Sequence, residues 1–244
     1  MITLLIATRN THKVEEIRTI LGGRFQYRTL NDFPDAPKVV EDAPTFAGNA
    51  IKKAVELAQW VGRTQSPQST VHSPESTLHS PQFFVLADDS GLEVDALGGA
   101  PGVHSARFAG PEGGGSENSF SALNNAKLLR LLKDVPAEKR TGRFRCVLAV
   151  STVVPQERES ASPVCQATEA ELLAELFEGA CEGRITQAPR GQGGFGYDPL
   201  FVPEGHEQTF GELGQEVKNR LSHRARALEK LKQWFEGGGV ERRA

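Results

Sequence analysis

Residues 2–21, ITLLIATRNTHKVEEIRTIL, decide the fold class of this chain. Residues 2–7 form a short, uninterrupted apolar run rich in Ile and Leu, which is typical of a strand covered on both faces. Residues 8–10 interrupt that run, and over 13–21 apolar side chains return at steps of three and four, which predicts a helix. The chain therefore begins with a strand, a tight polar turn and a helix.

The alternation of strands and helices continues along the rest of the chain. Apolar runs predict strands at 83–87 and 143–154 and a further strand region within 172–185; helical spacing predicts helices at 45–60, at 117–132 and from near Ser222. The expected buried stripes are Phe46, Ala50, Ala54, Leu57 and Val61 in the first of these helices, and Ala225, Leu228, Leu231, Trp234 and Phe235 in the last. Strands that alternate with helices predict an α/β architecture around a mixed sheet.

Composition and charge exclude several classes of protein. The 244 residues are 38% hydrophobic and 24% charged, which suits one globular domain, or one domain of two lobes, with a sizeable core. The net charge of -3 gives no overall basic field, so we expect no nucleic-acid partner. The first apolar run has no basic segment before it and ends at Ala7, too early for a signal peptide or a membrane span.

The cysteines indicate the compartment. Cys146, Cys165 and Cys181 are the three cysteines of the chain, and no CxxC pair occurs among them. An odd number without such a pair fits reduced, buried thiols better than a disulfide framework or a zinc site. We therefore expect a soluble, cytoplasmic protein.

Two segments are expected to be insertions. Residues 65–82 carry a tandem repeat, SPQSTVH followed by SPESTLH, whose Ser-Pro steps cannot continue a helix and whose apolar content is too low to pack. This Ser/Pro-rich stretch predicts a flexible loop, and a second loop candidate spans 155–167. The rest of 1–236 is expected to form a single domain, followed by a flexible tail at 237–244.

The turn between the first strand and the first helix has the composition of a phosphate site. A helix N-terminus offers N–H groups and about half a positive charge. This turn adds hydroxyl, amide and cationic donors from Thr8, Arg9, Asn10, Thr11, His12 and Lys13. The glycine spacing and the Lys-Ser/Thr pair of a P-loop are absent. Helix capping by Thr and Asn is the alternative, and it is the favoured one if this turn is considered alone.

Two adjacent carboxylates follow the strand predicted at 83–87. Asp88 and Asp89, in the sequence ADDSG, repel one another at the exit of a buried strand, and a divalent cation would remove that cost. Because side chains alternate along a strand, we expect one of the two to be a ligand or base and the other to be structural. An Asp-Ser-Gly turn is the alternative. Glu41, before the helix predicted at 45–60, is a further candidate carboxylate.

A glycine-rich segment at 191–199, GQGGFGYDP, gives a backbone that can approach a ligand closely. Phe195 and Tyr197 lie in this segment, and stacking of a base on an aromatic face is worth about 1–3 kcal/mol. The alternative is a glycine-rich hairpin whose aromatic residues fill the core.

Basic residues cluster at the start of the last predicted helix. Ser222 is a natural N-cap, which places His223 and Arg224 in the first helical turn, and Lys218 lies shortly before them. Cations at a helix N-terminus oppose the helix dipole, so this placement predicts an anionic or carbonyl-bearing partner. A solvated basic turn is the alternative.

These clusters together resemble the inosine triphosphate pyrophosphatase family, the XTP/dITP diphosphatases that clear deaminated purine nucleotides. The family patterns T/S-x-N-x-x-K, D-D-S-G, G-G-x-P-G, F-G-Y-D-P and S-H-R occur in family order at 8–13, 88–91, 98–102, 195–199 and 222–224. The resemblance spans nearly the whole chain, and so many motifs in order make coincidence negligible. The main departure is Arg9, where many members have Gly.

The resemblance implies a mixed, elongated α/β sheet flanked by helices, two lobes with a nucleotide cleft between them, and a homodimer. It implies Mg²⁺ bound by Glu41 and Asp89, with Asp89 also the catalytic base that activates water for attack at the α–β phosphoanhydride. The substrate contacts that it implies are the turn at 8–13 and Lys53 for the triphosphate, and Ser90, Phe195, Gly196, Tyr197, Asp198, Lys218, His223 and Arg224 for the rest of the nucleotide.

The expected reaction is hydrolysis of ITP, dITP and XTP to the monophosphate and pyrophosphate, and two other functions stay open. Maf-type pyrophosphatases act on other altered nucleotides, and the clusters at 195–198 and 222–224 argue against them. A catalytically inactive nucleotide-binding regulator is the second alternative. The joint retention of Lys13, Glu41 and Asp89 argues against it.

Overall fold

A mixed six-stranded sheet runs through the residues that the computed structural model describes, which are 1–64, 82–110, 117–154 and 174–238. The strands are β1 (Ile2–Ile6), β2 (Phe25–Thr29), β3 (Phe83–Val94), β4 (Thr141–Thr152), β5 (Ala174–Ile185) and β6 (Phe201–Pro203). Their order is β2-β1-β3-β4-β5-β6; β1 is parallel to both β2 and β3, whereas β6 is antiparallel to β5. The predicted α/β fold with a mixed sheet is confirmed.

The helices of the described ranges are α1 (Thr11–Leu21), α2 (Phe46–Thr64), α3 (Glu117–Leu131), α4 (Phe210–Leu213), α5 (Gln215–Leu221) and α6 (His223–Glu236). In α2 the expected stripe of Phe46, Ala50, Ala54, Leu57 and Val61 is buried throughout, and in α6 only Trp234 of the expected stripe is partly exposed. Periodicity predicts these helices because an amphipathic helix turns one face to the core. None of the helices in these ranges is long and apolar enough to cross a membrane.

The strand β3 is longer than the sequence predicts. An end at Ala87 and an Asp-Ser-Gly turn are both wrong, since the strand continues through 88–91 to Val94. Gly91, Leu92 and Val94 are buried again, so the polar residues interrupt the apolar run without ending the strand. The adjacent aspartates therefore lie inside a strand and not at its exit.

The sequence does not predict β2, β6, α4 or α5. These elements have 5, 3, 4 and 7 residues, respectively. Such lengths are too short for an apolar period to be recognised in the sequence, and their position is decided by neighbouring elements.

The chain divides into two compact units. The first unit comprises Met1–Asp88 and Leu148–Phe177, and the second comprises Asp89–Val147 and Glu178–Ala244. The division separates Asp88 from Asp89, which are adjacent in sequence. The predicted insertion at 65–82 lies outside the described residues except for Gln82, as do the loop predicted at 155–167 and the tail beyond Gly238.

The core of the first unit is built on β1. Its consecutive residues Leu4, Leu5 and Ile6 are all buried, although side chains along a strand alternate between faces. The prediction of a strand covered on both faces is therefore confirmed. Ile17 and Leu21 of α1 and the apolar stripe of α2 are buried in the same unit.

The core of the second unit is rich in aromatic side chains. The Phe144 and Phe201 rings lie 4.7 Å apart between centroids, and the Phe201 and Phe210 rings are stacked at 5.6 Å. Leu92, Leu128, Leu132, Ile185, Tyr197 and Leu200 complete much of this cluster. The short β6 and α4 thus each contribute a core phenylalanine, which is what holds them in place.

The cysteines behave as predicted where they are described. Cys146 and Cys181 are buried, and burial raises the pKa of the Cys181 thiol to about 11. At neutral pH this thiol is therefore protonated and unreactive. Cys165 lies outside the described residues.

Close packing at Gly179 gives a test of the second unit. A Cβ at this position of β5 would overlap the carbonyl oxygen of His223 and lie 2.7 Å from the Ala227 backbone nitrogen, both in α6. We expect Gly179→Ala to lower the free energy of unfolding by about 1–3 kcal/mol, because backbone cannot yield as a flexible side chain does.

Urea denaturation measures this change, and Gly23→Ala is the matched control. A Cβ at Gly23 would meet nothing within 4 Å, so its effect should stay within about 0.5 kcal/mol. Equal effects of the two substitutions would contradict the close packing of α6 on β5.

Candidate functional site

The turn before α1 is a helix cap in this structure. Asn10 is the N-cap, and its Oδ1 accepts a hydrogen bond from the Lys13 backbone N–H at 2.9 Å. The Thr8 hydroxyl accepts from the Asn10 backbone N–H at 3.1 Å. The capping alternative is thus observed, and it orients the helix N-terminus, with Arg9, Thr11 and His12 exposed around it. Phosphate binding at this turn stays a prediction.

Lys13 neutralises the first of the two aspartates. Its ammonium group pairs with the Asp88 carboxylate, whose side chain is almost completely buried. In the sheet, β3 lies beside β1, and the Ala7 N–H donates to the Leu86 carbonyl at 2.8 Å, close to Asp88. A lysine of the protein therefore compensates the charge of Asp88, so this carboxylate needs no divalent cation to offset its burial.

Asp88 and Asp89 differ in exposure as strand alternation predicts. Asp88 is 3% exposed, whereas Asp89 and Ser90 are partly exposed. Asp89 is the first residue of the second unit, so the two aspartates also belong to different units. Of the two, Asp89 is the carboxylate that a ligand from solvent can reach.

Glu41 is held by a lysine that was predicted to bind phosphate. The Lys53 ammonium pairs with the Glu41 carboxylate, and their side chains are 15% and 30% exposed. Nearby, the Asn49 side chain accepts from the Ala43 backbone N–H at 2.9 Å, which anchors the segment before α2. Glu41 is therefore not a solvated loop residue but a member of an ordered, half-buried ion pair.

In the second unit, the glycine-rich segment forms a tight turn around Asp198. The Asp198 carboxylate accepts from the Phe195 backbone N–H at 2.8 Å, and the Asp198 N–H donates to the Phe195 carbonyl at 3.2 Å. Gly194 has φ +75°, and a Cβ there would overlap the Asp198 carboxylate, so this glycine is required by the turn. The turn leaves Phe195 partly exposed.

A buried lysine completes this turn. The Lys218 ammonium lies 2.6 Å from Asp198 Oδ2, and the two side chains are only 2% and 3% exposed. The same ammonium lies 4.1 Å from the centroid of the Phe195 ring, a cation–π distance. One lysine thus contacts both the carboxylate and the aromatic ring that were predicted to receive a nucleotide.

The basic residues at the start of α6 are buried, so the alternative of a solvated basic turn is wrong. Ser222 caps the helix, as predicted, by accepting from the Ala225 N–H at 3.1 Å. Arg224 is 1% exposed; it donates to the Ser90 hydroxyl at 2.9 Å and its Cζ lies 5.8 Å from the Phe195 centroid. His223 is stacked on Phe144 at 4.8 Å. The guanidinium of Arg224 is therefore part of the interior of the second unit, where burial of a charge is costly unless the charge has partners, and its role toward a ligand stays a prediction.

Tyr197 has a structural contact that the sequence does not reveal. Its side chain lies in the core of the second unit, and its hydroxyl donates to the Ser105 carbonyl at 2.8 Å. Burial raises the pKa of this phenol well above its usual value. Tyr197 was predicted to contact substrate, and in the structure its hydroxyl holds the turn in place. Its contact with substrate stays a prediction.

The sequence prediction omitted Asn124 and Asn125 of α3. The Asn125 amide donates to the Gly196 carbonyl at 3.0 Å, and the Asn124 amide donates to the Ser105 carbonyl at 3.3 Å. A signal was present, because adjacent asparagines in the middle of a helix are poor helix formers.

The donor set allows a metal ion with few protein ligands. Among the described residues no group of three or more His, Cys, Asp or Glu side chains could hold a metal. Glu41 and Asp89 are partly exposed carboxylates, and Mg²⁺ is commonly bound by one or two carboxylates, with phosphate oxygens and water as the other ligands. Each carboxylate, taken by itself, therefore has the chemistry of a ligand for a hard cation that keeps other oxygen ligands, and the described residues form no closed protein cage for a metal.

The chain is similar to proteins whose family is known. The Ham1 family model matches residues 4–234. The dITP/XTP pyrophosphatase of Shouchella clausii is 42% identical over 234 residues, covering 96% of each chain. That of Geobacillus kaustophilus is 44% identical over 235 residues, covering 96% of this chain and 94% of the relative. The solved structure of a HAM1 protein from Coxiella burnetii matches with a TM-score of 0.72 and 30% identity, over 98% of this chain and 100% of that one.

The ion pair of Lys218 and Asp198 gives a test of the second-unit cluster. Lys218→Met leaves a buried carboxylate without its cation, and Asp198→Asn leaves a buried ammonium without its anion. Each should lower the free energy of unfolding by about 3–5 kcal/mol, and the double variant should lose clearly less than the sum.

Denaturant titration of the four proteins in this cycle measures the coupling. The exposed pair of Arg184 and Glu207, at 2.8 Å, is the control, and its cycle should show about 1 kcal/mol or less. Additive losses at Lys218 and Asp198 would contradict a buried, coupled pair.

Proposed function

The chain belongs to the Ham1 family, and on that premise we propose that it hydrolyses deaminated purine nucleoside triphosphates to the monophosphate and pyrophosphate. The relatives named above are dITP/XTP pyrophosphatases, and the chain matches them over nearly their whole length. The sequence motifs resemble the same group of enzymes, the XTP/dITP diphosphatases. ITP, dITP and XTP are therefore the proposed substrates. Membership of this family also argues against the Maf-type alternative.

The buried cluster around Phe195 is the observation that carries this proposal. Lys218 and Arg224 both lie against one partly exposed aromatic ring, and Lys218 pairs with the Asp198 carboxylate. An aromatic face provides stacking for a base at about 1–3 kcal/mol. Ammonium and guanidinium groups are donors only, so the cluster favours a base whose edge carries an acceptor.

Selectivity against adenine follows from those donors. The 6-oxo group of hypoxanthine or xanthine accepts a hydrogen bond from Arg224 or Lys218, whereas the 6-amino group of adenine presents a donor to a donor. A buried group left without its partner costs about 1–3 kcal/mol, which lowers the affinity for adenine nucleotides. His223 lies beside Arg224 in the same helical turn and is proposed to read the same edge.

The first unit supplies the groups proposed for the triphosphate. The N-terminus of α1 and the ammonium groups of Lys13 and Lys53 are donors to phosphate oxygens. These lysines pair with Asp88 and Glu41, and the pairing holds each ammonium group in a defined position. Mg²⁺, when bound by Glu41 and Asp89, would stabilise the charge that develops on the pyrophosphate.

Asp89 is the proposed general base. Its carboxylate accepts a proton from the water that attacks the α-phosphorus, and the bond from that phosphorus to the bridging oxygen breaks to release pyrophosphate. Ser90, which accepts from Arg224, is proposed to contact the nucleotide beside it. Assembly as a homodimer and a cytoplasmic location stay predictions from the resemblance.

A substrate panel tests the reaction. Purified protein with Mg²⁺ should release pyrophosphate and monophosphate from ITP, dITP and XTP, and much less from ATP. Asp89→Asn keeps the shape of the side chain but removes its charge, so turnover should fall by at least about a hundredfold while the fold is retained.

Asp134→Asn is the control for Asp89→Asn, because Asp134 is exposed in the same unit and should leave turnover unchanged. Circular dichroism checks the fold of both variants. An Asp89→Asn protein with near-normal turnover would refute the assignment of the base. A wild-type protein that binds ITP without hydrolysing it would favour the inactive regulator.

Arg224 gives a test of base recognition. If its guanidinium donates to the 6-oxo group, Arg224→Met should lower kcat/KM for ITP strongly and for ATP far less. The ratio of the two efficiencies should then shrink by at least about tenfold. Arg226→Met is the matched control, since Arg226 lies in the same helix but donates to the Ala180 carbonyl at 2.7 Å. Equal losses on ITP and ATP would assign Arg224 to the phosphates instead.

A further inference from the structure

Two adjacent asparagines in α3 are not explained by the helix that contains them. Asn124 and Asn125 are 5% and 9% exposed, and both lie well inside Glu117–Leu131. Asparagine is a poor helix former because its side chain competes for backbone hydrogen bonds, and burial of its amide is unfavourable without hydrogen-bond partners. The reason for these residues must therefore lie in what they contact outside the helix.

Both asparagines hold the turn that carries Phe195. Asn125 Nδ2 donates to the Gly196 carbonyl at 3.0 Å. Asn124 Nδ2 donates to the Ser105 carbonyl at 3.3 Å, and the same carbonyl accepts from the Tyr197 hydroxyl at 2.8 Å. Two consecutive residues of the turn are thus tied to α3, Gly196 directly and Tyr197 through Ser105.

Gly196 is the residue of this turn that most needs an external constraint. It has φ +61°, and nothing lies within 4 Å of the point where a Cβ would be. A glycine without such neighbours has wide freedom in its backbone dihedrals. Since Phe195 precedes it directly, rotation at Gly196 would move the aromatic ring relative to Lys218 and Arg224. The hydrogen bond from Asn125 opposes that rotation.

We propose that Asn125 is a positioning residue that sets the orientation of Phe195 for base binding, an inference that rests on the proposed function. Asn125 acts through the Gly196 carbonyl, so it affects the nucleotide only where the base meets the ring. Its loss should weaken binding of the base without altering the groups that receive the phosphates.

The other end of the Asn125 amide argues against a role in stability alone. Asn125 Oδ1 is buried and accepts no hydrogen bond from any residue that the structure describes. An apolar side chain of similar size would remove this unsatisfied acceptor. It would also take the donor from the Gly196 carbonyl, but Gly196 is partly exposed, so that carbonyl can accept from water instead, and we expect only a small net change in stability. Asn124 differs, because its Oδ1 accepts from the Ala109 N–H at 2.7 Å.

The test compares substrates with and without a base. Asn125→Leu should raise KM for ITP by about tenfold, with kcat nearly unchanged, because stacking contributes equally to the bound ground state and the transition state. Ribose 5-triphosphate carries the same sugar and phosphates but no base, and its kcat/KM should be the same for variant and wild type. Tyr197→Phe keeps the ring but loses the bond to Ser105. It should show the same pattern as Asn125→Leu, with a higher KM for ITP and an unchanged kcat/KM for ribose 5-triphosphate.

Stability and binding are measured on the same proteins. The thermal midpoint of Asn125→Leu should stay close to that of the wild type, whereas Asn124→Leu should lower it clearly. Equal losses on ITP and ribose 5-triphosphate would overturn the positioning role. The positioning role would also be overturned if Asn125→Leu lowered the thermal midpoint as much as Asn124→Leu does, because the loss of kcat/KM on ITP would then follow from lost stability.

The affinity for IMP, measured by calorimetry, separates this inference from the proposed reaction. IMP keeps the base, so Asn125→Leu should bind it about tenfold more weakly than the wild type does. A variant that binds IMP as tightly as the wild type would overturn the positioning role, even without any turnover. A wild-type protein that binds IMP but releases no pyrophosphate from ITP would refute the proposed reaction alone.

Discussion

The buried ion pair between Lys218 and Asp198 is the interaction on which the second unit's site depends. Neither charge could remain in the core alone, because transfer of an unpaired ion from water is strongly unfavourable. The Asp198 carboxylate also accepts from the Phe195 backbone, and the Lys218 ammonium lies against the Phe195 ring. The position of the ring is therefore tied to a pair whose members cannot separate without a large loss of stability.

The same principle holds in the first unit, where charges predicted to bind substrate are already paired with one another. Lys13 is held by Asp88, and Lys53 by Glu41. Such pairing keeps long side chains ordered. If Lys53 and Glu41 bind a triphosphate with Mg²⁺ as proposed, that ligand brings both signs of charge and can exchange partners with the pair without leaving an uncompensated ion. Asp88, almost completely buried, is the member least able to exchange.

Several sequence predictions were right for reasons that are local. The stripe of α2 and the Ser222 cap depend on residues within a few positions of one another, and motif order needs no structure at all. Predictions failed where distant residues decide. The strand β3 continues past Ala87 because packing buries Leu92 and Val94 again. The alternative of a solvated basic turn at 222–224 was wrong because tertiary packing buries His223 and Arg224, whereas their ligand-binding role stays a prediction.

The sequence by itself determined the family, the α/β class and the residue types available for chemistry, because periodicity, capping and motif spacing act over short stretches of chain. Only the tertiary structure decided which of those residues meet. Lys13 pairs with Asp88, which lies 75 positions away in the sequence, and Asn125 donates to Gly196, which lies 71 positions away. Contacts at such separations are set by how strands and helices pack, and no local pattern in the sequence encodes them.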